Sequence, residues 1–222
     1  MSTYLSLTSL ILVISALAAV YLWYERRHTA PAEVAVIATL AALAGLGRVP
    51  FAAIPSFQPT TFLVLVCGHV FGPVPGFLIG STAAFASNLF LGQGPWTPWQ
   101  MLAWGLAGIS GGLLFRGNAF FPRWTFTGVA FAWGFIFGWI LNFWHWITFV
   151  YPLTIQSFTA TILTGIGFDF MHAIANALFM VLLGPELVII LRRFKRRLTF
   201  YSLNGKNGES QKRAAVQKEG LS

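Results

Sequence analysis

The chain has 222 residues, of which 56% are hydrophobic and only 9% charged, with a mean hydropathy of +0.71. A soluble domain carries about 25% charged residues, so the composition excludes an ordinary soluble globular protein and reads as one all-α integral membrane unit. The net charge of +8 comes with one cysteine, Cys67, so an intrachain disulfide and a zinc-type cysteine cluster are both excluded.

Apolar runs predict seven helices in chain order, over 4–24, 32–47, 60–71, 75–91, 98–115, 124–150 and about 162–191. Crossing a bilayer takes roughly 20 residues. The third run is short for a full span, and the last is long enough to tilt or to kink at Gly184–Pro185. The first run lacks a preceding basic region and a small-residue cleavage site, so it reads as an uncleaved anchor rather than a signal peptide. Cys67 lies within an apolar run and reads as packing.

Placing the N-terminus outside puts Arg26, Arg27, Arg116, Arg123 and the basic tail from Arg192 onward on the cytoplasmic side. Of the 14 Lys and Arg residues, Arg48 alone then falls outside. The skew accounts for the positive charge without a nucleic-acid partner, and the tail can meet anionic lipid. The expected organisation is an anchor helix over 1–28, a membrane domain over 29–200 and a disordered basic cytoplasmic tail over 201–222.

With this orientation the polar residues of several segments fall at one depth. Arg48 ends the second run, Asn88 ends the fourth and Gln100 begins the fifth. Asn142 and His145 sit high on the sixth. Asp169, His172 and Asn176 begin the seventh, at i, i+3 and i+7, on one helix face. Side chains of this kind inside a membrane are costly and mark function, although any one of them can serve as helix-to-helix glue. Between the fourth and fifth runs stands FLGQGPWTPWQ (90–100). Its Pro95 and Pro98 stiffen the backbone, Trp96 and Trp99 offer flat apolar faces with one N–H each, and Gln93 and Gln100 offer donors and acceptors. A small-molecule site has this make-up. An interfacial aromatic belt would need the Trp residues but not the Pro, Gly and Gln.

Three stretches, ALAGLGRVPFAAIPSFQPTT (42–61), GPVPGFLIGSTAAFASNLFLGQGPWTPWQMLAWGLAG (72–108) and FDFMHAIAN (168–176), carry a resemblance. In order along the chain they resemble the substrate-binding S components of energy-coupling factor (ECF) vitamin transporters, and GQGPWTPWQ resembles the cobalamin-type subgroup. The resemblance implies six core helices, so that 4–24 is an extra N-terminal helix. It implies a ligand site near the outer face, under loops at 48–59, 92–98 and about 151–168. Substrate contacts are then expected from Arg48, Phe57, Gln58, Asn88, Gln93, Trp96, Trp99, Gln100, Asn142, His145, Asp169, His172 and Asn176. It also implies a docking motif of small residues for the coupling subunit, at Ala38 and Ala42 with Ala41 and Gly45 beside them. No permanently bound cofactor and no metal are expected; the ligand is a vitamin, with cobalamin the first candidate. ATP would be hydrolysed by two partner ATPases, which join through a transmembrane coupling subunit, and no GxxxxGK[ST] occurs in this chain.

Two other classes compete. An intramembrane enzyme would use Asp169 and His172 as metal ligands or as acid and base, but the sequence offers no HExxH and few carboxylates. A channel would need a ring or row of charges along a path, which the sequence does not supply. A different small vitamin in the same architecture stays open.

Overall fold

The computed structural model describes the backbone of residues 2–27, 29–114 and 122–219, and the side chains of 4–27, 29–114 and 122–197. Among these residues the chain forms seven α-helices: α1 (Ser2–Glu25), α2 (Pro31–Leu46), α3 (Thr60–Phe71), α4 (Pro73–Leu91), α5 (Thr97–Leu114), α6 (Arg123–Phe149) and α7 (Ile155–Glu219). A 3-10 turn, Val49–Phe51, follows α2, and no strand occurs among the described residues. Five spans are long and apolar enough to cross a membrane: Tyr4–Glu25, Pro31–Phe51, Pro73–Leu91, Arg123–Phe149 and Ile155–Arg197. Arg116 lies outside the described residues. The tail expected to be disordered is carried as helix to Glu219, and its side chains lie outside the described residues.

Local chemistry sets the boundaries. Pro73 and Pro75 occupy the first turn of α4, where their missing N–H costs nothing. Gly72, at φ +105°, makes the sharp turn from α3 to α4. The start of α7 differs from the sequence expectation by a full two turns. Residues 155–161, expected ahead of the helix, are helical because Thr154 and Ser157 cap each other: Thr154 N donates to Ser157 Oγ at 3.1 Å and Ser157 N to Thr154 Oγ1 at 3.2 Å. Trp146 Nε1 also donates to Ser157 Oγ at 2.9 Å, which ties the end of α6 to this start. The helix then runs on through Pro185.

α3, α4 and α5 pack closely because their contact faces are glycine. A Cβ at Gly108 would strike the backbone of Gly76, and one at Gly68 would strike Gly108. Small residues at such crossings let the helix backbones approach. The apolar core around this crossing includes Phe62, Leu65, Ile79, Phe126 and Met180, with Cys67 buried among them. α6 and α7 meet along Gly134, which abuts Ala173. The extra helix α1 is mostly exposed; Tyr21 holds it to α4 through Ser81 Oγ (2.8 Å) and Thr82 Oγ1 (2.7 Å).

The two ends of the bundle differ in chemistry. At one, Lys195 Nζ donates to the carbonyl of Val70 at 2.6 Å, Arg192 meets His69 at 2.8 Å, and Arg123 donates to the carbonyl of Val181 at 2.7 Å. Lys195 and Arg192 pin α7 to the end of α3, and Arg123 pins the start of α6 to α7. The opposite end holds Arg48 and the polar residues of the candidate site.

Candidate functional site

The centre of the site is Arg48, just past α2. Its Nε donates to Gln58 Oε1 at 2.6 Å, and its Nη1 donates to Ser87 Oγ at 2.6 Å and Asn88 Oδ1 at 3.2 Å. Its Cζ lies 4.7 Å from the ring centroid of Trp104, a cation–π distance. Three elements therefore converge on one guanidinium: the loop before α3, the end of α4 and the middle of α5.

Asn88 carries the network into the elbow. Its Nδ2 donates to Gln100 Oε1 at 2.7 Å and to Thr97 Oγ1 at 3.0 Å. Thr97 Oγ1 donates in turn to Gln93 Oε1 at 2.9 Å, and Gln93 Nε2 donates to the carbonyl of Phe85 at 3.0 Å. The GQGPWTPWQ elbow is thus held in shape by its own amides and the Thr97 hydroxyl. Trp104 carries the network the other way. Its Nε1 donates to Thr61 Oγ1 at 2.9 Å, and Thr61 Oγ1 bonds His172 Nε2 at 2.9 Å. Phe137 lies against both Trp104 and His172, with ring centroids 4.6 and 5.0 Å away.

Of the expected residues, Arg48, Gln58, Asn88, Gln93, Gln100 and His172 are joined in this one network. Trp99 is buried beside Phe143, and its indole N–H has no partner. Trp96 is partly exposed, edge-on to Trp144. Phe57 belongs to an aromatic group with Phe51 and Phe179. Asn176 is fully buried, and both of its amide atoms lack hydrogen-bond partners. Asp169 and Asn142 form a separate pair between α6 and α7, at 3.5 Å. That carboxylate rests where a Cβ on Gly138 would be, and Asn142 rests against Gly165, so both helices are notched to take polar side chains.

His145 lies apart from this network. It is exposed, lies between the rings of Trp144 and Phe149, and shares no hydrogen bond with Asn142. An i, i+3 step rotates by about 60° around the helix, enough to carry His145 off the face that Asn142 presents to α7. The docking motif also divides. Ala38 and Ala42 are exposed on α2, whereas Ala41 and Gly45 are buried. A Cβ on Gly45 would strike the carbonyl of Ala83 and approach Ser87 N, so this second pair packs α2 onto α4 instead of facing outward.

Four network residues, Thr61, Ser87, Thr97 and Trp104, are absent from the sequence expectation. Trp104 lies in an apolar stretch of α5, where its indole reads as core; four residues after Gln100, it falls on the same face of that helix.

Residues 32–189 match the family described as ECF transporter, substrate-specific component. The chain belongs to that family. The match begins just inside α2 and leaves α1 outside, as an addition to the six helices α2–α7. An S component is a transport subunit rather than an enzyme. This S component is a multi-pass membrane protein. UPF0397 proteins of Vibrio atlanticus (strain LGP32) and Aliivibrio fischeri (strain MJ11) are each 38% identical to it over 85 residues, 36% of this chain and 46% of theirs. The matched region therefore spans about half the length of those curated relatives. No solved structure matches this S component.

Proposed function

We propose that this S component captures a vitamin, with cobalamin the first candidate, at the Arg48 end of the bundle, and that this end faces outward. The observation that carries the reading is the single hydrogen-bonded network from Gln93 through Asn88 and Arg48, and by the Trp104 face to His172. It draws polar groups from four helices and two connections to one depth, opposite the end fixed by Arg123, Arg192 and Lys195. The positive-inside skew supports placing that cationic end in the cytoplasm and the N-terminus outside. Trp96, Trp99 and Phe57 directly precede Thr97, Gln100 and Gln58 of the network in the chain, and aromatic faces with a few amides are the make-up a site for a large amide-rich ligand requires.

Residues 29–200 then form the binding domain, with no resident cofactor, and a coupling subunit with two ATPases drives release. Ala38 and Ala42, exposed on α2, form the surface for that coupling subunit; small residues at i, i+4 permit close helix approach. Ala38 also lines a groove of about 410 Å³ with Tyr21, Tyr24 and Thr82, between α1, α2 and α4.

Titration of the purified chain with cyanocobalamin tests the reading. Saturable binding near one per chain, without conversion of the vitamin, is expected. Absence of binding to cobalamin, with tight binding of a flavin or a thiamine precursor, would move the ligand and keep the site.

A further inference from the structure

Arg48 offers five N–H donors in a planar fork. The Nε and Nη1 bonds go to an amide oxygen of Gln58, a hydroxyl of Ser87 and an amide oxygen of Asn88. All three acceptors are neutral. Among the described residues, Nη2 has no hydrogen-bond partner, and no carboxylate contacts the guanidinium. Glu33 bonds Tyr24, and Glu186 lies between Val181 and Arg192, both toward the opposite end. Asp169 is held against Asn142 and Gly138. Trp104 covers one face of the guanidinium and leaves its edge as the remaining donor surface.

A part-buried cation at the end of a membrane span is costly without a counter-charge, and such residues pair with an opposite charge where one is present. Here the protein assembles dipoles around Arg48 and withholds the anion. We infer that the transported molecule supplies it: an anionic group, carboxylate or phosphate, that Arg48 receives through Nη2. Nη2 keeps both of its N–H donors, and an oxygen of either group can accept from it in a charge-assisted bond. The inference rests on the proposed reading of this end as the ligand site. It narrows the ligand class to vitamins or precursors bearing a negative charge. Cobalamin qualifies through the phosphodiester of its nucleotide loop, which cobinamide lacks.

The test uses the full chain in lipid nanodiscs and matched probes: cyanocobalamin against dicyanocobinamide, flavin mononucleotide against riboflavin, pantothenate against pantothenol, and nicotinate against nicotinamide. For the pair that binds, the charged member is expected to bind roughly 10- to 100-fold more tightly, the size of one charge-assisted hydrogen-bond pair. Arg48→Gln should erase that preference, and Arg48→Lys should keep part of it. Equal affinity for both members in the unaltered protein would overturn the inference while leaving the site in place. That comparison needs no variant, so it decides even where Arg48→Gln does not fold. Failure of every probe to bind the unaltered protein would count against the ligand-site reading, and the inference with it.

Discussion

Replacing Asn88 probes the network where Arg48 joins the elbow. Asn88 is 2% exposed, accepts from Arg48 and donates to both Thr97 and Gln100. Asn88→Ala removes all three bonds. Thr97 keeps its bond to Gln93, and Arg48 keeps those to Gln58 and Ser87, so neither is stranded. Three bonds at about 1 kcal/mol each, with the guanidinium bond somewhat stronger, sum to roughly 2–4 kcal/mol. For a chain of this size each kcal/mol moves Tm by about 2–4 °C, so thermal unfolding in detergent should shift down on the order of 5–15 °C. Asn88→Asp separates stability from function. It keeps an acceptor for Arg48 and adds a counter-charge, but it loses both amide donors. Its Tm should fall by less than that of Asn88→Ala, while an anionic ligand, now competing with Asp for Arg48, should bind at least about tenfold more weakly. A Tm for Asn88→Ala within about 2 °C of the unaltered protein would refute the network as a unit.

Three further outcomes are expected. Trp96→Ala should weaken ligand binding in titration and leave Tm nearly unchanged, because its ring is partly exposed and meets Trp144 only edge-on. Ala38→Trp should spare binding and stop ATP-driven uptake, whereas Gly45→Leu should lower Tm and expression because it drives a side chain into the backbone of Ala83; a transport defect in Gly45→Leu at normal Tm would contradict that division. Tyr21→Phe removes two hydrogen bonds that fasten α1, about 1–3 kcal/mol of local attachment, so protease cleavage within 26–30 should quicken while the unfolding of the six-helix body stays put.

Hydrophobic run length alone located all seven helices, because a membrane-facing helix must be apolar along its length. Positive-charge skew and polar depth single out one end of the bundle as the candidate, and the network from Gln93 to His172 lies at that end. Rotation about each helix was harder to read. A helix that is apolar all round gives no moment to orient it, so Ala41 and Ala42 looked equivalent until α4 was seen to cover one of them. The outward turn of His145 is illegible for the same reason. Thr61, Ser87, Thr97 and Trp104 escaped notice because a hydroxyl or an indole in an apolar run reads as core until a partner on another helix is known. The start of α7 was legible in principle: Thr154 and Ser157 stand at capping-box spacing, although Ser replaces the usual Glu or Gln.

The central claim, capture of a vitamin at the Arg48 end, is tested most directly by what the protein already holds. The chain is purified from cells grown on a vitamin mixture, denatured, and the released small molecules are identified by mass spectrometry. The account predicts about one cobalamin per chain, absent from the Trp96→Ala variant. An empty protein that also fails to bind any vitamin added back would contradict it.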